Sequence, residues 1–143
     1  GGEVGPMDTP EAGFCPIDIQ VPGQTHPMLA GLPWRHHQFQ THAHEVKALP
    51  DGATLLASSD ACKVQIFTAG IRTFGFQFHF ELDRPGIDMF SKDQSGLFAD
   101  ADLDANAVSA QADEHYEMFA RASDRLSLNI ATLAFATMEL LRV

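Results

Sequence analysis

The run Gly75-Phe76-Gln77-Phe78 has the alternation of a strand and ends in His79, with Glu81 two residues on. This pair is the part of the sequence best suited to acid–base chemistry. A carboxylate that accepts from one imidazole nitrogen fixes the tautomer and leaves the other nitrogen free to take a proton. At a strand end both side chains can lean past the sheet edge toward a cleft. On residue types alone, a structural histidine followed by the approach to a helix is the commoner arrangement, because most strand ends carry no chemistry.

A second group is histidine-rich: His36, His37, His42 and His44. On a strand His42 and His44 share a face, as do His36 and His42, so shared metal ligation is geometrically allowed. No cysteine and no flanking pair of carboxylates completes the set, so neither a metal nor a cofactor is assigned. The two cysteines, Cys15 and Cys62, stand in the contexts Phe-Cys-Pro and Ala-Cys-Lys. They form neither a disulfide framework nor a Cys-x-x-Cys motif, and a reducing compartment, the cytoplasm, suits them. Both read as ordinary thiols, since reactivity needs a lowered pKa and a partner base.

The elements that must position these residues follow from periodicity. Residues 1 to 34 are rich in Gly and Pro and read as loop, apart from a short strand over 16 to 21. The stretch from His36 to Val46 and the apolar run from Ala53 to Ala57 flank the breaker cluster Leu49-Pro50-Asp51-Gly52, which predicts two short strands joined by a turn. Lys63 to Thr68 and Arg72 to His79, separated by Ala69-Gly70-Ile71, predict a tight hairpin. In its second strand Phe74, Phe76 and Phe78 line one face, and Thr73, Gly75, Gln77 and His79 line the other. Asp83 can cap a helix with Pro85 in its first turn. A loop around Gly96 is expected next, then a helix over about 105 to 120. Ser123 or Asp124 is expected to cap a last helix to about Leu141, with Leu126, Ile130, Leu133, Phe135, Leu140 and Leu141 on its apolar face.

The 143 residues, 45% of them hydrophobic, suffice for one domain with a sizeable core. With 9 Lys+Arg against 19 Asp+Glu the net charge is -10, which repels nucleic-acid phosphates and anionic lipid headgroups. Neither is an expected partner. Asp100, Asp102, Asp104, Asp113 and Glu114 read as a solvated face. No apolar run approaches the roughly 20 residues that span a bilayer.

Three blocks in order resemble the class I glutamine amidotransferase family. Gly75-Phe76-Gln77-Phe78-His79-Phe80-Glu81 is similar to the family's Gly-x-Gln-x-His-Pro-Glu, with Phe80 in place of the proline. His26 to Pro33 resembles His-Pro-Leu-Phe-x-Gly-Leu-Pro. Thr41-His42-Ala43-His44-Glu45-Val46, with Leu49 to Ala53 and Leu56 to Ser59, resembles Ser-His-x-Asp-x-Val, Leu-Pro-x-Gly-Ala and Leu-Ala-x-Ser, and His44 stands where the family often has Asp. Ordered blocks are more specific than any one motif.

The resemblance implies an α/β fold, part of a doubly wound, flavodoxin-like amidotransferase domain with a β-hairpin and C-terminal helices. Residues 1–143 would be the C-terminal portion of that domain, 1–90 matching the family blocks and 91–143 forming a helical extension. It implies hydrolysis of glutamine by a cysteine thiolate, with His79 as base and Glu81 orienting it, and with backbone groups at Thr41 and His42 holding the substrate. The ammonia would pass to an acceptor on a synthetase domain or subunit. The family's nucleophile sits on a Gly-x-Cys-x-Gly elbow, which these residues lack, and Gly1-Gly2-Glu3-Val4 resembles the stretch just after it. The chain alone is therefore expected to be inactive on glutamine and prone to self-association. Two other functions fit the same blocks: a γ-glutamyl peptidase or hydrolase, and a non-catalytic homologue acting as a binding module.

Overall fold

The computed structural model describes residues 1–71 and 73–140, with side chains of the last helix as far as Leu133. Five strands form one sheet: β1 (Glu3–Ile19), β2 (Arg35–Ala48), β3 (Ala53–Ser58), β4 (Ile66–Ala69) and β5 (Thr73–Phe76). Their spatial order is β2-β1-β3-β4-β5, and every pairing is antiparallel. Helices α1 (Val21–Gln24), α2 (Arg84–Asp93), α3 (Ser95–Asp100) and α4 (Ala105–Leu140) complete the chain, with a 3-10 turn at Pro27–Leu29. The result is a mixed α/β fold whose three larger helices follow the sheet, and no helix among the described residues is long and apolar enough to cross a membrane.

The N-terminal region differs most from expectation. Instead of loop with a short strand at 16 to 21, β1 runs for 17 residues and pairs with β2 from Glu3↔Ala48 to Asp18↔Arg35, with a register shift between Pro6 and Glu11. Pro16 is tolerated because the pairing does not need its missing N–H, and Pro10 lies in the irregular stretch between Pro6 and Glu11. Pro16 lies opposite His37, two positions from the Phe14↔Phe39 pair, and Phe14 turns its own N–H away from β2 to donate to Gln111 Oε1 of α4 at 2.9 Å. Backbone groups two residues apart point to the same side of a strand. Gly13, at φ +77, admits that close approach, because a Cβ there would lie 2.4 Å from Gln111 Oε1.

The two strands expected on either side of the breaker cluster are present and joined by a turn at Asp51-Gly52, although they do not pair with each other. β2 and β3 both border β1, which lies between them, and β2 is 14 residues long rather than short. The hairpin β4–β5 is present, paired from Ile66↔Phe76 to Ala69↔Thr73, with Gly70 at φ +66 in its turn. Past β5 the chain leaves the regular ladder and curls the sheet back on itself: Gln77 N donates to Gln65 O at 3.0 Å and His79 N to Phe39 O at 2.8 Å.

Asp83 caps α2 by accepting from Gly86 N at 2.8 Å, with Pro85 in the first turn. Gly96 lies inside α3 rather than in a loop. The two helices expected after residue 105 are one, α4, started by Asp104 accepting from Ala107 N at 2.8 Å. No Gly or Pro interrupts 105–140, so Ser123 and Asp124 sit mid-helix and cap nothing. Asp100, Asp102, Asp104, Asp113 and Glu114 are all exposed.

Two apolar clusters hold these layers. One joins Ile17, Leu29, Leu56, Ile66 and Phe78 to Leu126 of α4, with Phe74, Phe76, Phe80, Ile130 and Leu133 packed against it. The other joins Phe14 and Phe39 to Ile87, Phe98, Val108 and Phe119. The phenylalanine face of the hairpin is therefore a core face. Phe135, Leu140 and Leu141, expected on the same face of α4, lie outside the described side chains.

Candidate active site

His79 is anchored at both ends of its residue. Its backbone N–H reaches Phe39 O of β2, and its Nδ1 lies 2.7 Å from Glu81 Oε1. With Nδ1–H donated to the carboxylate, Nε2 carries the lone pair and is the nitrogen able to take a proton. The side chains of His79 and Glu81 are 33% and 57% exposed, so the pair faces solvent rather than core. A contact this open adds little to stability, and its use is to orient the ring. Phe90 of α2 closes one side, its ring centroid 5.7 Å from that of His79.

Alternation explains why the histidine points outward. Phe78 and Phe80 turn into the core, ring centroids 6.2 Å apart, and Phe80 also meets Phe76 at 5.3 Å. The residue between them must therefore face away. Packing of the Phe80 ring holds the His79-to-Glu81 spacing that a proline ring would otherwise stiffen. Gly75 leaves room for Phe67, whose Cε1 would lie 2.1 Å from a Cβ there.

Thr41 and His42 follow Phe39 on β2. In an antiparallel ladder the N–H and C=O of residues two apart open to the same side. Thr41 therefore presents its backbone groups along the edge on which Phe39 meets His79. The His42 side chain is engaged elsewhere: Nε2 lies 3.2 Å from Glu11 Oε2, and Nδ1 lies 3.0 Å from His44 O and 3.2 Å from Gln77 Nε2. Gln77 Nε2 also donates to His44 O at 2.7 Å, so the glutamine of the motif ties the His79 segment to β2. Its role was not visible in the spacing.

The four histidines do not converge. His36 is buried with Nδ1 2.8 Å from Pro33 O, His37 stacks on His115 of α4 at 3.9 Å, and His44 is exposed. His42 instead approaches Glu11 and Cys62, the donor atoms of the three lying within 4.8 Å of one another. Sequence reading missed this set because its members sit on three different elements.

Neither cysteine has His79 as a partner. Burial, with the nearby Glu11 charge, pushes the Cys15 thiol up from 9.0 to about 12, against the opposing hydrogen bond to Ala12 O. Burial also pushes the Cys62 thiol up from 9.0 to about 11, against the hydrogen bond to Val64 O. A thiol whose folded pKa is raised stabilises the fold below its unfolded value and loses that contribution as pH rises through the folded one. Native protein at pH 8 should thus leave both thiols slow toward iodoacetamide, with reaction and loss of stability emerging together above about pH 9. Fast labelling of either at pH 8, read by mass spectrometry, would contradict this environment.

No protein-family model matches the chain. It is 30% identical over 83 residues to the glutamine-hydrolysing GMP synthase subunit of Natronomonas pharaonis, a match covering 57% of this chain and 44% of that one. It is 37% identical over 93 residues to the same-named subunit of Sulfolobus acidocaldarius, covering 63% and 48%. The chain spans about half the length of these curated relatives. In three dimensions it superposes on a glutamine amidotransferase from Thermotoga maritima with a TM-score of 0.70 at 19% identity, covering 91% of this chain and 55% of that one. That second likeness shows the fold alone. The chain is thus similar in sequence, over about 60% of its length, to these glutamine-hydrolysing subunits, and it shares its fold with the Thermotoga maritima amidotransferase.

Proposed function

We propose that this chain supplies the base and the substrate edge of a glutamine-hydrolysing amidotransferase. The observation that carries the reading is the 2.7 Å contact between His79 Nδ1 and Glu81 Oε1 at a solvent-facing strand end, set beside a backbone edge at Thr41. The nucleophile would be a cysteine outside these 143 residues, since Cys15 and Cys62 are held protonated and turned to other partners. In the reaction, His79 Nε2 takes the thiol proton as sulfur attacks the side-chain amide carbon of glutamine. It returns that proton to the departing nitrogen, which leaves as ammonia. Water, activated by the same nitrogen, then cleaves the thioester to glutamate and restores the thiol. Glu81 keeps the imidazolium oriented while it carries charge.

In this reading residues 1–90 carry the chemistry and 91–143 clamp the sheet through α3 and α4. The ammonia passes to an acceptor on a synthetase domain or subunit, in keeping with relatives named for GMP synthase. Incubation of the full-length protein with L-glutamine should release glutamate and ammonia in equal amounts. Cleavage of γ-glutamyl peptides with no turnover of free glutamine would overturn the reading.

A further inference from the structure

Glu11 and Cys62 have no part in the glutamine chemistry proposed above, and the His42 side chain brings its Nε2 to them rather than to His79. Glu11 and Cys62 are almost fully enclosed, at 5% and 0% exposure. A carboxylate so deeply buried needs a positive partner, yet among the described residues no Lys or Arg reaches Glu11, and its ionic neighbour is His42. That contact is not a sound hydrogen bond: His42 Nε2 is buried and, though 3.2 Å from Glu11 Oε2, has no aligned partner among the described residues. With Nδ1–H directed at His44 O, the Nε2 lone pair would face the carboxylate oxygen. In that tautomer two lone pairs are opposed in a buried place, an arrangement that a cation held by both would relieve.

We propose that Glu11, His42 and Cys62 form a binding site for one divalent, thiol-seeking cation of the zinc type. Zinc bonds of about 2.0–2.3 Å in tetrahedral geometry give ligand-to-ligand edges of roughly 3.3–3.7 Å. The 3.2 Å nitrogen-to-oxygen separation already matches such an edge, and the 4.8 Å bound on the set leaves at most about 1.5 Å to close. Carboxylate, imidazole and thiol together favour zinc or cobalt(II) over calcium or magnesium, which prefer oxygen alone. The outer contacts are those a metal site uses. Ser59 Oγ donates to Glu11 Oε1 at 2.7 Å and Gln65 Nε2 to Glu11 Oε2 at 2.6 Å, while Gln40 Nε2 holds Gln65 Oε1 at 2.9 Å. They fix the carboxylate while leaving it lone pairs for the ion. On binding, the Cys62 thiol gives up its proton to solvent and becomes a thiolate ligand. The ion would tie β1, β2 and the β3–β4 connection at one point. It is independent of the glutamine chemistry proposed above.

Cobalt(II) titration of the metal-stripped protein tests the site. One equivalent should produce the near-ultraviolet sulfur-to-cobalt charge-transfer band with tetrahedral visible bands, and zinc should abolish both. Cys62→Ser should remove the charge-transfer band and Cys15→Ser should keep it, while Glu11→Gln should weaken affinity by roughly 10-fold or more. Should Cys62→Ser not fold, the wild-type protein still decides the matter: zinc should protect Cys62, identified by mass spectrometry, from alkylation in mild denaturant. Absence of the charge-transfer band, its persistence in Cys62→Ser, or alkylation of Cys62 at the same rate with and without zinc would overturn the proposal.

Discussion

His79→Ala, made in the protein that brings a nucleophilic cysteine to this chain, is expected to lower the rate of glutamine hydrolysis by roughly 10²- to 10⁴-fold. The size follows from the two proton transfers that Nε2 would perform, one in forming the thioester and one in expelling ammonia. Folding should survive the change. The side chain is one-third exposed, and the bond that fixes the segment runs from the backbone N–H to Phe39 O, which alanine retains. The loss should fall on kcat, with KM for glutamine little altered, because the base acts on the reacting atoms and not on substrate affinity. Glu81→Gln should cost less, roughly 10- to 100-fold, since its carboxylate acts through the histidine and is partly screened by water. A His79→Ala protein with undiminished ammonia release would place the base elsewhere.

Phe39→Ala carries the largest expected effect on stability. The ring is fully buried, meets Phe14 edge-on at 5.5 Å and stacks on Phe98 at 6.2 Å. Truncating a buried phenylalanine leaves a cavity that its neighbours fill only in part, at about 3–5 kcal/mol. Domains have about 5–15 kcal/mol of stability in total, so urea unfolding should shift to a much lower midpoint or vanish. The same residue's carbonyl receives the His79 N–H, so activity should fall even at temperatures where the variant stays folded. A shift below about 1 kcal/mol would mean the aromatic cluster does not join sheet to helices as tightly as its contacts require.

Much of the local structure could be read from residues alone because the signals are local. The turn at Gly70, the cap at Asp83 with Pro85, and the inward set Phe74, Phe76 and Phe78 depend on neighbours within a few positions. The long strand β1 could not be read in this way. Its prolines and glycines look like loop, and only pairing with β2, 17 to 45 residues on, supplies the partner that makes them strand. The same long-range pairing puts β1 between β2 and β3, an order that no local signal shows. In α4, Ser123 and Asp124 carried a capping signal that the surrounding helix formers outweighed. The candidate site divides along the same line: His79 and Glu81 are two residues apart and legible, while Glu11 meets His42 only through the β1–β2 register and Cys62 joins them from the β3–β4 connection.

The most direct test of the central claim, that His79 Nε2 serves a cysteine brought to this edge, is the pH dependence of alkylation at that cysteine in the protein that supplies it. If His79 is the base, the wild-type thiol reacts as a thiolate well below the ordinary value of about 8.5, and His79→Ala moves the profile up toward it. Superimposable profiles for the two proteins would contradict the account.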